Sequence, residues 1–162
     1  MSQSSDAPSP SDTRLAKQAL REQVRLAKLG ISTEGKTAQS REVCHRVADS
    51  EIWKRSCQVL IYTHLPSEVD INLLLTNALL EKKTVALPQY DSKTQRYALG
   101  IIQDVDELVS GAFGVNEPSV SCAEIQPNQM DLAIVPGVAF DVLGRRLGRG
   151  GGHFDRVLQS LT

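Results

Sequence analysis

The sequence predicts a three-layer α/β domain with a mostly parallel sheet, and three stretches carry that expectation. Residues 57–63, Cys-Gln-Val-Leu-Ile-Tyr-Thr, are β-rich with little alternation, as in a strand covered on both faces. Residues 71–81 follow with leucines at helical density, and residues 84–87 form a second apolar strand ahead of Pro88. Strand, helix and strand of these lengths make a βαβ unit, whose chirality and burial imply parallel pairing. The third stretch is apolar residues 132–135, closed by Pro136-Gly137, then a glycine-rich loop, then Phe154, Val157, Leu158 and Leu161 at helical spacing. It reads as strand, polar loop and helix start.

Taken from the N-terminus, residues 1–13 hold five serines, two prolines and two aspartates and are expected to be a disordered tail. Residues 14–29 read as a helix on which Arg14, Lys17, Arg21, Arg25 and Lys28 fall in one narrow sector, with Leu15, Ala19, Leu20, Val24, Leu26 and Ala27 over much of the rest. A solvated helix face normally mixes both signs, because like charges four apart repel, so an acid-free stripe favours an anion-binding reading. A second helix is expected to start at Ser32 or Thr33 and to turn Val43, Cys44, Val47, Ala48 and Ile52 inward, while His45 reads as exposed or structural. Glu68 and Asp70 lie where the first strand hands over to the next helix, the end at which open α/β sheets hold ligands. From position alone, capping of that helix is equally good an account. Residues 96–102 read as a strand, 104–109 as a short helical turn and 113–118 as a loop; Glu117 is either a ligand group or a loop-stabilising acceptor.

The loop at residues 144–152 is the most informative stretch. Gly148, Gly150, Gly151 and Gly152 have no Cβ and tolerate positive φ, so successive amides can converge on an anion while Arg145, Arg146 and Arg149 add charge. At the start of a helix the natural guest is phosphate. Neither standard phosphate signature fits: a P-loop would end in Gly-Lys-Ser/Thr, and the dinucleotide fingerprint would need a third glycine where His153 stands.

These residues resemble the signature of the 5-formyltetrahydrofolate cyclo-ligase family, also called methenyltetrahydrofolate synthetases. That family carries Pro-Gly-x-Ala-Phe-Asp and then Gly-x-Arg-Leu-Gly-x-Gly-x-Gly-Tyr-Tyr-Asp. The chain has Pro136, Gly137, Val138, Ala139, Phe140 and Asp141, then residues 144–155 in the same order, with His153 and Phe154 in place of the two tyrosines. Lys17 and Arg21 match a Lys-x-x-x-Arg of the family's first helix, residues 68–70 match most of its Glu-Val-Asp-Thr, with Ile71 departing from the threonine, and Gly114, Glu117 and Pro118 match its Gly-x-x-Glu-Pro.

The resemblance implies a NagB/RpiA/CoA-transferase-like architecture and ATP-dependent cyclisation of 5-formyltetrahydrofolate to 5,10-methenyltetrahydrofolate, with ATP and Mg2+ required. By the same resemblance, Lys17, Arg21 and Arg149 are catalytic. The ATP-binding set is Lys17, Arg21, Arg146, Leu147, Gly148, Arg149, Gly150, Gly151, Gly152, His153 and Phe154. The folate-binding set is Leu65, Glu68, Asp70, Phe140, Arg149, Gly150, Gly151, Gly152 and His153, and Asp155 is the metal ligand. Family members continue past the loop with a strand-rich segment bearing a second aspartate near the metal, which this sequence leaves unmatched. The chain as given is therefore expected to be marginally stable and slow in turnover. The rival reading is a shortened, non-catalytic homologue that keeps at most nucleotide or folate binding.

Composition bounds the rest. With 162 residues and 41% apolar composition there is one core, and a formal net charge of −1 argues against a dedicated nucleic-acid binder. One tryptophan, three tyrosines and three phenylalanines are few platforms for stacking bases. Cys44, Cys57 and Cys122 have no metal-like spacing and read as incidental thiols of a reducing compartment. No transmembrane run or signal peptide is visible, so the expectation is a cytoplasmic monomer without membrane or nucleic-acid partners.

Overall fold

The computed structural model describes residues 9–159 and 161. The first eight residues of the expected tail lie outside the described residues, but the expectation fails from Ser9 onward. Ser9 caps helix α1 (Pro10–Lys28) by accepting from the Asp12 amide at 3.2 Å, and proline in the first turn forfeits no helical bond. Helix α1 leaves Leu15, Leu20, Leu26 and Leu29 exposed. Helix α2 (Thr33–Ala48) starts at Ser32, whose hydroxyl accepts from the Gly35 amide at 3.1 Å. Of its expected core residues Cys44 is fully buried and Val47 and Ala48 pack at the core margin. Val43 and Ile52 are exposed, the latter because Ser50 caps a separate helix, α3 (Glu51–Arg55), and breaks the helical phase before Ile52. That short helix buries Trp53 instead.

Strand β1 (Gln58–Leu60), helix α4 (Asn72–Leu80) and strand β2 (Thr84–Asp91) form the predicted βαβ unit, with Val59 paired in parallel to Val85. Strand β2 runs through Pro88, where the sequence suggested a stop. The Ala86 carbonyl accepts from Ile61 N–H on the β1 side at 2.9 Å. Two residues on, the Pro88 nitrogen faces that same side past the end of β1, so no ladder bond is lost. Strand β3 (Arg96–Ile102) pairs antiparallel to β2. Strands β4 (Leu108–Ser110) and β5 (Asn116–Pro118) then form a small hairpin, preceded by a single 3-10 turn at Val105–Glu107 where a helical turn was expected. Strand β6 (Leu132–Ala133) returns to the far side of β1 in parallel, giving the order β3-β2-β1-β6. Asp131 fixes its approach by accepting from the Cys57 and Gln58 amides at 2.8 and 2.9 Å, which holds its carboxyl below the usual aspartate range.

Two of the three strand junctions are parallel, in keeping with the α/β expectation. Alternation along β1 sends Val59 and Ile61 to a cluster with Leu74, Ala78 and Cys44 of α4 and α2, while Leu60 meets Ala86, Leu99 and Val157 on the other face. The last of these lies on α5 (His153–Gln159), so helices cover both faces of the sheet. Between β6 and α5 the sequence suggested only a polar loop. The chain instead forms a second hairpin from β7 (Ala139–Phe140) and β8 (Arg146–Leu147). Its turn is built on Asp141, which accepts from the Leu143 and Arg145 amides at 3.0 and 2.9 Å and from the Arg145 guanidinium at 2.6 Å. A two-residue pairing is too short to register as periodicity.

Candidate active site

The βαβ crossover, the β4–β5 hairpin and the glycine loop leave two adjoining cavities at the carboxyl ends of β1 and β6. One is largely apolar and is walled by Tyr62, Tyr97, Phe113, Pro136, His153 and Phe154. The other is basic and lies under the first turns of α1, with Arg14, Lys17, Arg21 and Arg146 around it. Gly148, Gly150, Gly152, Arg146 and Asp155 border both, so the glycine loop is the partition.

The loop turns by positive φ at Gly150 (105°) and Gly152 (66°), conformations that a side chain disfavours. It is pinned by α1, where the Arg21 Nε–H donates to the Gly148 carbonyl at 2.8 Å. Arg146 donates to the Pro136 carbonyl at 3.0 Å and forms an ion pair with Asp155, so β8, α5 and the end of β6 meet at one side chain. Arg149 reaches the other way, donating to Glu68 Oε1 at 2.8 Å and to the Ser67 hydroxyl. Glu68 in turn accepts from the Leu65 amide at 2.9 Å, and its side chain is only 11% exposed. Because Arg149 joins the two loops that flank the apolar cavity, its pair with Glu68 is a clasp across the mouth.

The expected basic stripe divides. Arg14, Lys17 and Arg21 face the basic cavity, whereas Arg25 pairs with Glu22 at 2.7 Å and Lys28 donates to the Ser67 carbonyl at 3.4 Å. Leu147 joins the basic cavity, while Leu65, Glu68, Arg149, Gly151, His153 and Phe154 border the apolar one. Three residues stand elsewhere. Arg145 is held in the hairpin turn by Asp141 and lines neither cavity. Asp70 accepts from the Asn72 amide at 2.9 Å in the turn that leads into α4, lies 3.5 Å from His64 Nδ1, and lines neither cavity; the N-cap of α4 is Ile71, without a side-chain cap. Phe140 is 56% exposed, and its ring presses on the outside of Gly137, where an added Cβ would meet it at 2.6 Å.

Glu117 is an acceptor within the fold and also borders the apolar cavity. It is buried, takes the Tyr90 amide at 3.0 Å, and packs on Gly111 so closely that a Cβ there would fall 2.4 Å from its Cγ. The aromatic wall was not foreseen. Tyr90 and Tyr97 face each other across the β2–β3 pair with ring centroids 5.0 Å apart, and Phe113, at φ 60°, packs at a tilt against both Tyr90 and His153. Burial pushes the Tyr62 and Tyr97 phenols upward, so both remain hydroxyls near neutrality. In the sequence these aromatics are dispersed over two strands and a loop; strand register brings Tyr90 to Tyr97, and packing of the 3-10 turn at Ala112–Gly114 adds Phe113.

Among the described residues no group of three or more His, Cys, Asp or Glu side chains is gathered for a metal. Asp155 alone borders the basic cavity. One carboxylate suits Mg2+, which is usually held by one or two carboxylates together with nucleotide phosphates and water.

The model of the 5-formyltetrahydrofolate cyclo-ligase family matches residues 13–162, which takes in α1, both cavities and the glycine loop. The chain belongs to the 5-formyltetrahydrofolate cyclo-ligase family. Within this cyclo-ligase family, it is 32% identical over 124 residues to a probable 5-formyltetrahydrofolate cyclo-ligase of Schizosaccharomyces pombe, covering 75% of this chain and 61% of that one. It is 26% identical over 146 residues to the 5-formyltetrahydrofolate cyclo-ligase of Haemophilus influenzae, covering 89% and 78%. Among solved structures, the 5,10-methenyltetrahydrofolate synthetase of Aquifex aeolicus superposes with a TM-score of 0.79 at 32% identity, over 90% of this chain and 73% of that one. A Mycoplasma pneumoniae synthetase at 22% identity shares the fold, with a TM-score of 0.66 over 90% and 79%. The chain thus spans about three fifths of the length of the fission-yeast relative, 61%. Among the described residues no helix is long and apolar enough to cross a membrane.

Proposed function

We propose that the protein catalyses the ATP-dependent cyclisation of 5-formyltetrahydrofolate to 5,10-methenyltetrahydrofolate, releasing ADP and phosphate. The observation that carries this reading is the pair of cavities, one basic and one aromatic, that meet at the glycine loop in a chain of this family. A triphosphate suits the basic cavity, and a pterin ring suits the apolar one between Tyr62, Tyr97 and Phe113. The loop between them is then where phosphate meets formyl oxygen.

The formyl oxygen is a poor leaving group until it is phosphorylated. In the first step it forms a bond to the γ-phosphorus of ATP while the bond from that phosphorus to the ADP oxygen breaks. In the second, N10 of the folate attacks the formyl carbon, loses its proton, and expels the oxygen as phosphate. Phosphoryl transfer needs positioning and charge neutralisation more than covalent participation by the protein. Lys17 and Arg21 supply cations from α1, and Arg146 and Arg149 supply them from either flank of the loop. Both arginines exchange a carboxylate partner for phosphate in this reading, Asp155 for Arg146 and Glu68 for Arg149. Asp155 would hold Mg2+, which neutralises charge on the phosphates when bound. Glu68, freed from Arg149, remains at the cavity mouth as an acceptor for folate N–H groups. A monomeric, cytoplasmic protein with a small-molecule partner completes the proposal.

The test is the absorbance of methenyltetrahydrofolate formed from 5-formyltetrahydrofolate and Mg·ATP by the purified chain. Appearance of product with equimolar ADP supports the reading. Binding of both ligands by calorimetry without product would establish the non-catalytic rival.

A further inference from the structure

His153 occupies a position that the catalytic scheme above does not use, and its surroundings fix more than its place. Its Nδ1 lies 3.0 Å from the Tyr97 hydroxyl and 3.0 Å from Nη2 of Arg156. A guanidinium has only donors, so the contact with Arg156 is a hydrogen bond only if Nδ1 accepts. The Tyr97 hydroxyl donates to the same atom. The ring proton therefore sits on Nε2. Two further contacts hold the ring. Phe113 packs on it at a tilt, 4.1 Å between centroids, and Tyr97 meets it edge-on at 6.4 Å, while Arg156 lies over the Tyr97 ring at 5.9 Å. The Nε2 edge lies against Gly151, where an added Cβ would fall 2.8 Å from Nε2 and 2.6 Å from Cδ2. Only glycine at 151 admits the ring in this place, and the ring lines the apolar cavity.

We propose that Tyr97 and Arg156 are positioning residues that fix His153 in its Nε2–H tautomer, making it an oriented hydrogen-bond donor to an oxygen acceptor of the substrate in the apolar cavity. The second half rests on the folate reading of that cavity; the first does not. A locked donor discriminates for a ligand that presents an oxygen at that point, because a ligand that covers the ring without one leaves its N–H unpaired. Arg156 reaches the substrate only through His153, since it lies outside the lining of both cavities.

The experiment is nitrogen-15 NMR of the histidine-labelled full chain, with kinetics on the same preparations. Free wild-type protein should show His153 with a protonated Nε2 and a bare Nδ1, and Arg156→Lys should retain that pattern. The double variant Tyr97→Phe, Arg156→Ala should show a mixture of tautomers with unchanged far-UV circular dichroism. Its KM for 5-formyltetrahydrofolate should rise by roughly five- to tenfold, the scale of one neutral hydrogen bond, with KM for ATP within about twofold of wild type. His153→Gln, whose amide reaches the Nε2 position, should retain more folate affinity than His153→Asn. A proton on Nδ1 in the wild type overturns the inference by itself. So does an unaltered folate KM in a double variant whose tautomers have mixed. Failure of the wild-type chain to bind 5-formyltetrahydrofolate in calorimetry overturns the substrate half together with the proposed function, a result separable from the tautomer of the free protein.

Discussion

Gly150→Ala tests whether the glycine loop works through its backbone. Gly150 has φ of 105°, well outside the left-handed region that other residues occasionally visit, yet the nearest atom to an added Cβ is Arg21 Cζ at 3.4 Å. Space for the methyl group is adequate, so the penalty is conformational. Holding a non-glycine residue there costs about 1–3 kcal/mol. For a chain of this size that corresponds to a fall in Tm of about 2–12 °C if the loop keeps its shape. If the loop relaxes to negative φ instead, Tm is spared but the amides turn away from the phosphate. Loss of one charge-assisted hydrogen bond, about 1.5–3 kcal/mol, then weakens Mg·ATP binding by roughly 10- to 150-fold. Gly152→Ala is the control, since φ of 66° lies within the left-handed well and nothing stands within 4 Å of its Cβ. Its cost is about 1–2 kcal/mol, with the loop path retained. Thermal melting and calorimetry with Mg·ATP read both quantities. Wild-type Tm together with wild-type affinity in Gly150→Ala would refute the argument that this φ is required.

Lys17→Ala and Arg21→Ala should each weaken ATP binding by about 1–3 kcal/mol, and Arg21→Ala should also increase hydrogen exchange in residues 148–152 because the Gly148 carbonyl loses its donor. Unchanged calorimetric affinity in the double variant would reduce the basic face of α1 to a solvated surface. Gly151→Ala should displace the His153 ring, since the new methyl would sit 2.6 Å from Cδ2, and should raise KM for folate more than KM for ATP. Equal effects on both would assign Gly151 to the phosphate site alone. Asp131 accepts two strand amides as a carboxylate, which depresses its folded pKa; its contribution is complete above the ordinary aspartate range and is lost as pH falls through the folded value. Asp131→Asn should therefore lower Tm at pH 7, with the two melting curves converging as pH falls below the ordinary aspartate range. Parallel curves at every pH would show that the charge is immaterial.

The sequence by itself determined what is local and repeated. Residues 57–63, 71–81 and 84–87 declare a βαβ unit because burial on both faces of a parallel strand leaves a continuous apolar run, and the helix between them has a matching leucine density. The glycines of residues 148–152 likewise announce a loop, since conformational freedom is a property of residue type, and Gly150 and Gly152 use it at positive φ. Lys17 and Arg21 were legible because a helix converts spacing into a face. Tertiary structure decided what depends on distant partners. Arg145, Arg146 and Arg149 are equivalent in composition, yet Asp141 holds the first in a hairpin turn, Asp155 takes the second, and Glu68, 81 residues away, takes the third. Packing of a strand, a 3-10 turn and the start of α5 gathers Tyr97, Phe113 and His153 into one wall, and a turn bond to the Asn72 amide holds Asp70 away from it. The physical reason is the same in each case. A side chain's direction follows from its own backbone, but its partner is supplied by a part of the chain that only folding brings near.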